Sequence, residues 1–145
     1  MTKVSRLMQL SARFLVCVVF LLNGFGIIDQ AVPARELTAS GAPASLVPVM
    51  MTVARVIEVL GGVALALGIY PRLAALALLS FLIPATFSAH AFWSAAGTPA
   101  FQGQLINFSK NVAMWGGLFF IAGSSLQTSL VPNSNVALSN REENE

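Results

Sequence analysis

The sequence has few charges, one cysteine and one histidine, and these shortages exclude several classes of protein. Only 10% of its 145 residues are charged, 56% are hydrophobic and the mean hydropathy is +0.76. Soluble domains carry about 25% charged residues, and one small core could not bury this much apolar surface. The composition therefore predicts a membrane protein with one domain and no separate soluble module.

The same shortages limit the disulfides, metal sites and partners that the protein can have. Cys17 is the only cysteine, so an internal disulfide and a cysteine-based metal site are excluded, and we interpret it as a small buried apolar residue. His90 is the only histidine and the carboxylates are scattered, so we predict no metal site. A net charge of +2, with no Lys/Arg-rich run beyond the N-terminus, argues against a nucleic-acid partner.

Four apolar segments, separated by turn-rich loops, are each long enough to cross a bilayer core. They cover residues 12–28, 46–69, 73–92 and 105–123. Loop charges set the orientation, because basic residues favour the cytoplasmic side. One side carries Lys3, Arg6, Arg13, Arg72 and Arg141, and the other carries Arg35. We predict an all-α protein, a four-transmembrane-helix bundle over residues 1–123 with both termini cytoplasmic, followed by a polar, disordered tail at 124–145.

Arg55 and Glu58 are anomalous, because they interrupt an otherwise uncharged apolar segment. A charge at such a depth costs about 2.5–3.5 kcal/mol on insertion scales, and residues three apart share a helix face. With the predicted topology, the polar residues of all four segments fall in the outer half of the membrane, above an apolar inner half. We therefore expect an outward-opening polar pocket. Its candidate residues are Asn23, Arg55, Glu58, His90, Lys110 and Asn111, with Trp93 at the outer end.

Each candidate has two interpretations that the residues alone leave open. The Arg55–Glu58 pair is either part of a buried structural network or a site for a ligand, a proton or redox chemistry. His90 is either an interfacial hydrogen-bonding group or a catalyst. Trp93 is either an interfacial anchor or a wall for a quinone ring. Lys110 either faces the pocket or extends to the lipid headgroups.

Several motifs resemble the DoxX family of small bacterial inner-membrane proteins. They are NGFG at residues 23–26, RVIEVLGG at 55–62, SAHAFW at 88–93 and NFSKN at 107–111, within a resemblance that covers about residues 5–123. The resemblance implies a multi-pass protein of the bacterial inner (plasma) membrane. Carried over residue by residue, it supports Glu58, His90, Lys110 and Asn111 as functional positions.

Three functions remain open, and the sequence does not decide whether the protein is an enzyme. The first is a redox-associated subunit, linked to a quinone or to thiols, in which Glu58 relays protons and His90 is the second candidate catalytic residue. The other five candidates, namely Arg55, Lys110, Asn111, Asn23 and Trp93, would then bind the ligand. No flavin, haem or iron–sulfur motif is present, so electrons would pass through a bound quinone or a redox protein partner.

The second function is a non-catalytic membrane scaffold that stabilises a partner, in which the buried charges serve folding. The third is a small-solute transporter, although four helices are few for alternating access and no pair of broken helices is apparent. In every case the lipid bilayer is a partner, and a homo-oligomer is compatible with the sequence.

Overall fold

The computed structural model describes the backbone of residues 3–130 and the side chains of residues 3–124. Helices account for all the regular structure in this range, which confirms the all-α prediction for the part described. The helices are α1 (Lys3–Gly24), α2 (Ala31–Ala39), α3 (Val47–Leu67), α4 (Pro71–Ala89) and α5 (Phe101–Leu130), with a 3-10 turn at Phe92–Ala95.

The helix boundaries differ from the predicted segments at several ends, and the largest differences are at α1, α5 and the connection between the first two segments. Helix α1 begins nine positions earlier, at Lys3 rather than at residue 12, and α5 continues past residue 123 to Leu130. Helix α2 forms where the sequence predicts only a loop. Its Pro33 lies in the first turn, where backbone N–H groups have no partner within the helix, so the proline costs little there. The remainder of the predicted tail, 131–145, lies outside the described residues.

Three helical stretches are long and apolar enough to cross a bilayer. The mean hydropathy of an 18-residue window is 1.7 within Lys3–Gly24, 1.8 within Val47–Leu67 and 1.7 within Pro71–Ala95. Many of their large apolar side chains are exposed, among them Leu60 at 65% and Leu67 at 67%. Soluble monomers rarely expose such extensive apolar surface, so these helices belong in lipid and the chain is a membrane protein.

Helix α1 packs against α3 and α5, and α4 packs against the same two helices. The α3–α4 connection is a tight turn in which Gly68 (φ 73°) and Tyr70 (φ 43°) are left-handed and Pro71 opens α4. The buried core lies toward this turn. It comprises Cys17, Phe20, Leu65, Ala74, Ala75, Leu78, Leu79, Leu82, Leu118, Ile121 and Ala122.

Helix α1 ends at a close approach to α3. Gly24 is buried there, and a Cβ atom at this position would lie 2.7 Å from Val59 Cγ2 and 3.2 Å from the Val59 amide nitrogen. The second of these atoms is backbone, which cannot rotate away. Only glycine lets the end of α1 come this near to α3, and the neighbouring polar groups depend on that spacing.

Gly24→Ala should therefore lower the thermal stability of the protein in detergent, by about 1–3 kcal/mol in the free energy of unfolding, as overpacking does. Gly116→Ala in α5 is the matched control, because nothing lies within 4 Å of a Cβ atom there. It should cause no loss. Equal melting temperatures for the two variants would contradict the close approach of α1 to α3.

Candidate functional site

Glu58 is the centre of the site. It lies in the middle of α3, is only 4% exposed, and accepts two hydrogen bonds from Asn23 in the last turn of α1. Asn23 Nδ2 lies 2.7 Å from Glu58 Oε1 and 2.8 Å from Oε2. A buried carboxyl group is costly unless its oxygens are hydrogen-bonded, and the Asn23 amide meets that need at both oxygens.

Gln30, which precedes α2, orients the Asn23 amide. Its Nε2 donates to Asn23 Oδ1 at 3.0 Å, to the Asn23 carbonyl at 3.2 Å and to the Ile28 carbonyl at 2.9 Å. Because Oδ1 faces Gln30, the Nδ2 donor must face Glu58. Gln30 Oε1 is buried and has no hydrogen-bond partner among the described residues. The sequence provides no signal for Gln30, an isolated amide in a loop.

Arg55 makes no salt bridge with Glu58, although the sequence places the two charges on one face of the same helix. The Arg55 side chain is exposed, and its Nε lies 3.4 Å from the Gly24 carbonyl oxygen. A Cβ atom at Gly26, where φ is +73°, would lie 2.5 Å from the guanidinium. The cation lies at the C-terminal end of α1, where the Gly24 carbonyl accepts from it and the negative end of the helix dipole favours a positive charge.

His90 belongs to a second polar group. Its Nδ1 lies 2.9 Å from Gln104 Oε1 in α5, and Gln104 Nε2 lies 3.4 Å from Glu36 Oε1 in α2. This chain of contacts ties the end of α4 to α2 and α5. The sequence places His90 correctly at the end of α4, but predicts neither its direct partner Gln104 nor Glu36, which Gln104 contacts in turn.

The remaining candidates are also separate from Glu58. Asn111 donates to Thr86 Oγ1 at 3.0 Å, and the Thr86 hydroxyl donates to the Leu82 carbonyl at 2.6 Å, so this pair links α5 to α4. The Lys110 side chain is exposed and makes no hydrogen bond or ion pair with residues 3–124. The single polar pocket expected from the sequence is therefore replaced by three separate hydrogen-bonded groups, around Glu58, His90 and Asn111.

Trp93 lies in an aromatic cluster rather than beside the carboxylate. Its ring centroid is 6.0 Å from Phe87, 5.1 Å from Phe92 and 5.9 Å from Phe108. About half of its surface is exposed, at 49%. These contacts hold the 3-10 turn against α4 and α5.

A cavity of about 640 Å³ lies between α2, α3 and α4, and it is mostly apolar, with the Glu58–Asn23–Gln30 group as its main polar surface. The predicted polar pocket is thus an apolar cavity with one polar end, and of the predicted site residues only Asn23 and Glu58 line it. Helix α2 packs on α3 and α4 and forms part of the wall. The lining residues are Asn23, Gln30, Pro33, Leu37, Ser40, Gly41, Ala42, Val49, Met50, Met51, Val53, Ala54, Glu58, Phe81, Pro84, Ala85, Ser88 and Ala89.

Comparison with known proteins gives one match. The family model DoxX matches residues 8–91, more than half of the chain. The matched range holds Asn23, Arg55, Glu58 and His90, whereas the other three candidates follow it in sequence. No curated protein and no solved structure matches the chain.

Replacing Asn23 by Ala should destabilise the protein by about 1–3 kcal/mol, because the buried Glu58 oxygens lose their hydrogen-bond donor. Asn111→Ala is the control, since Thr86 keeps its bond to the Leu82 carbonyl. Thermal unfolding in detergent should show the larger loss for Asn23→Ala. A larger loss for Asn111→Ala would count against Glu58 as the costly buried group.

Proposed function

Because the chain belongs to the DoxX family, we propose that it is a bacterial inner-membrane protein that binds a quinone-type ring in the cavity between α2, α3 and α4. One observation carries the proposal, namely a 640 Å³ space with apolar walls and a few convergent polar groups at one end. Sites for small lipophilic molecules have this composition and a size of about 300–1,000 Å³. A quinone or hydroquinone matches it with an apolar ring and tail and polar oxygens.

The cavity is not sealed within the protein. Val49 and Val53 line it while remaining 59% and 52% exposed. Both belong to α3, one of the helices apolar enough to lie in lipid. A lipophilic ligand is concentrated in the bilayer, so it can enter from the membrane without crossing water.

In this proposal the protein is a redox-associated subunit. Glu58 accepts a proton from a ring hydroxyl or returns it, Asn23 holds the carboxyl group in place, and a redox protein partner exchanges electrons with the ring. Both residues line the cavity. His90, the second candidate catalytic residue, lies outside it and is assigned no contact with the ligand.

Ala85→Phe should weaken binding of a decyl-substituted benzoquinone–hydroquinone couple by about tenfold or more, because the new ring occupies the cavity that Ala85 lines. Ala77→Phe, on the same helix but exposed and away from the cavity, is the matched control. Binding is measured with purified protein in lipid nanodiscs. Equal affinities for the two variants would overturn the proposed site.

A non-catalytic scaffold is the second candidate, favoured by the Asn23–Glu58 link between α1 and α3. The double variant Asn23→Leu with Glu58→Leu separates the two functions. Replacing a buried polar pair by apolar residues is often neutral or stabilising. If the pair serves only packing in a scaffold, the double variant keeps its stability, and neither it nor the parent protein binds the ligand. If the pair recognises the ligand, the variant folds but binds weakly.

We also propose the full topology of a four-transmembrane-helix bundle with both termini cytoplasmic. Helix α5 has 30 residues and packs beside α1 and α4, and its length is sufficient for a fourth crossing. The distribution of Lys and Arg supports the orientation.

Single cysteines introduced into a Cys17→Ala background test this topology. With a membrane-impermeant maleimide, Thr98→Cys should be labelled in intact spheroplasts. Tyr70→Cys and Ser139→Cys should be labelled only after lysis. Labelling of Ser139→Cys in intact cells would contradict a fourth crossing, and labelling of Tyr70→Cys would contradict the orientation.

A further inference from the structure

Arg55 and Lys110 are exposed cations on α3 and α5, the two helices that flank α1. Arg55 Nε lies 3.4 Å from the carbonyl oxygen of Gly24, the last residue of α1. On α5, a Cβ atom at Gly117 would lie 3.3 Å from Val16 Cγ2 of α1. Lys110 precedes Gly117 by about two helical turns, so both lie on the face of α5 that is turned toward α1.

Both cations are level with the end of α1. Helices α1 and α5 run in opposite directions, so a step from Gly117 back to Lys110 corresponds to a step from Val16 forward to Asn23. Asn23 bonds to Glu58, which is in the middle of α3 (Val47–Leu67). Since α3 is just long enough to cross a bilayer, this level is about 15 Å from either surface of the hydrocarbon core.

Neither cation has an acidic partner within residues 3–124. The acidic side chains of that range have other contacts, since Asp29 accepts from the Ala31 amide, Glu36 meets Gln104 and Glu58 accepts from Asn23. The negative end of the α1 dipole offers only about half an elementary charge, which does not balance two full positive charges. The described part of the chain therefore presents excess positive charge at this depth.

Arg55 does not escape from this depth by extending its side chain to the lipid headgroups. Its guanidinium group is held against Gly26 and the Gly24 carbonyl. A charge in the hydrocarbon region is costly, and such residues pair with an opposite charge. Phospholipid phosphates lie at the membrane surface, so the counter-charge for Arg55 must belong to a molecule that reaches the middle of the bilayer.

The apolar residues near the two cations suit a helix as that molecule. Phe25 and Ile27, directly after α1, and Ile106, one turn before Lys110, are all exposed. We propose that this surface, the cationic face formed by Arg55, Lys110 and these three apolar residues, docks a transmembrane helix of a partner protein that carries an Asp or Glu at mid-membrane depth. The proposal is independent of the ligand of the cavity, which neither cation lines.

Synthetic transmembrane peptides test the proposal. Three leucine–alanine helices of about 21 residues differ only at the central position, which is Glu, Gln or Leu. Association is measured in phosphatidylcholine vesicles at mildly alkaline pH, by energy transfer from a dye at Thr98→Cys in the Cys17→Ala background. The Glu peptide should associate about tenfold more tightly than the Gln peptide, because it alone brings a negative charge to the cationic face.

Lys110→Gln should reduce this ratio about threefold, and the double variant with Arg55→Gln should abolish it. Lys110→Gln removes no contact within residues 3–124, so its effect does not arise from loss of folding. Arg72→Gln, which removes a cation from the first turn of α4, is the matched control and should leave the ratio unchanged.

Equal association of the Glu and Gln peptides would overturn the proposal, as would a ratio that survives in the double variant. Loss of the Glu preference when phosphatidylglycerol is added to the vesicles would assign the cationic face to anionic lipid instead. Energy transfer between donor-labelled and acceptor-labelled copies of this protein, abolished by Lys110→Gln, would make a second copy the occupant. Either result would overturn the docking of a partner helix.

Discussion

Burial of the Glu58 carboxyl group is the constraint on which the rest of the structure depends. A carboxyl group that is 4% exposed needs hydrogen-bond donors, and Asn23 supplies them only if α1 ends close against α3. Gly24 permits that approach because it has no side chain to meet Val59. Gln30 then fixes the orientation of the Asn23 amide, so that its nitrogen faces Glu58. Two helices and one loop are thus held in register by one acidic side chain.

The bundle is closely packed at one end of its helices and holds the cavity at the other. Toward the α3–α4 turn, α4 presents Leu78 and Leu82 to the core and fills the space between its neighbours. Beyond them the same helix presents Pro84, Ala85 and Ala89, which are short or ring-closed and leave the gap that becomes the cavity. From Leu78 onward, leucines on the core side of α4 give way to Pro84, Ala85 and Ala89 at the cavity, which Phe81 of the same helix also lines.

The sequence predicts the membrane class, the long helices and the segregation of polar residues toward one end, because these follow from hydropathy, length and helical rise. It does not predict which polar residues meet. Arg55 and Glu58 are neighbours along α3 and both meet the end of α1, yet Arg55 is exposed and contacts the Gly24 carbonyl, whereas Glu58 is buried and bonds to the Asn23 amide. Partners such as Gln30 lie in loops, whose conformation depends on tertiary contacts rather than on periodicity. Likewise, the cavity is space between helices that no side chain fills, and no sequence motif marks such a place.

Helix α2 forms one wall of the cavity. One polar residue just before it and another within it contact different helices of the bundle. Gln30 immediately precedes it and orients Asn23, while Glu36 within it meets Gln104 of α5. Any displacement of α2 that widens the cavity moves Gln30 and releases the Asn23 amide. The position of α2 and the hydrogen bonding of the buried Glu58 are therefore coupled, because a change at either one reaches the other through Gln30 and Asn23.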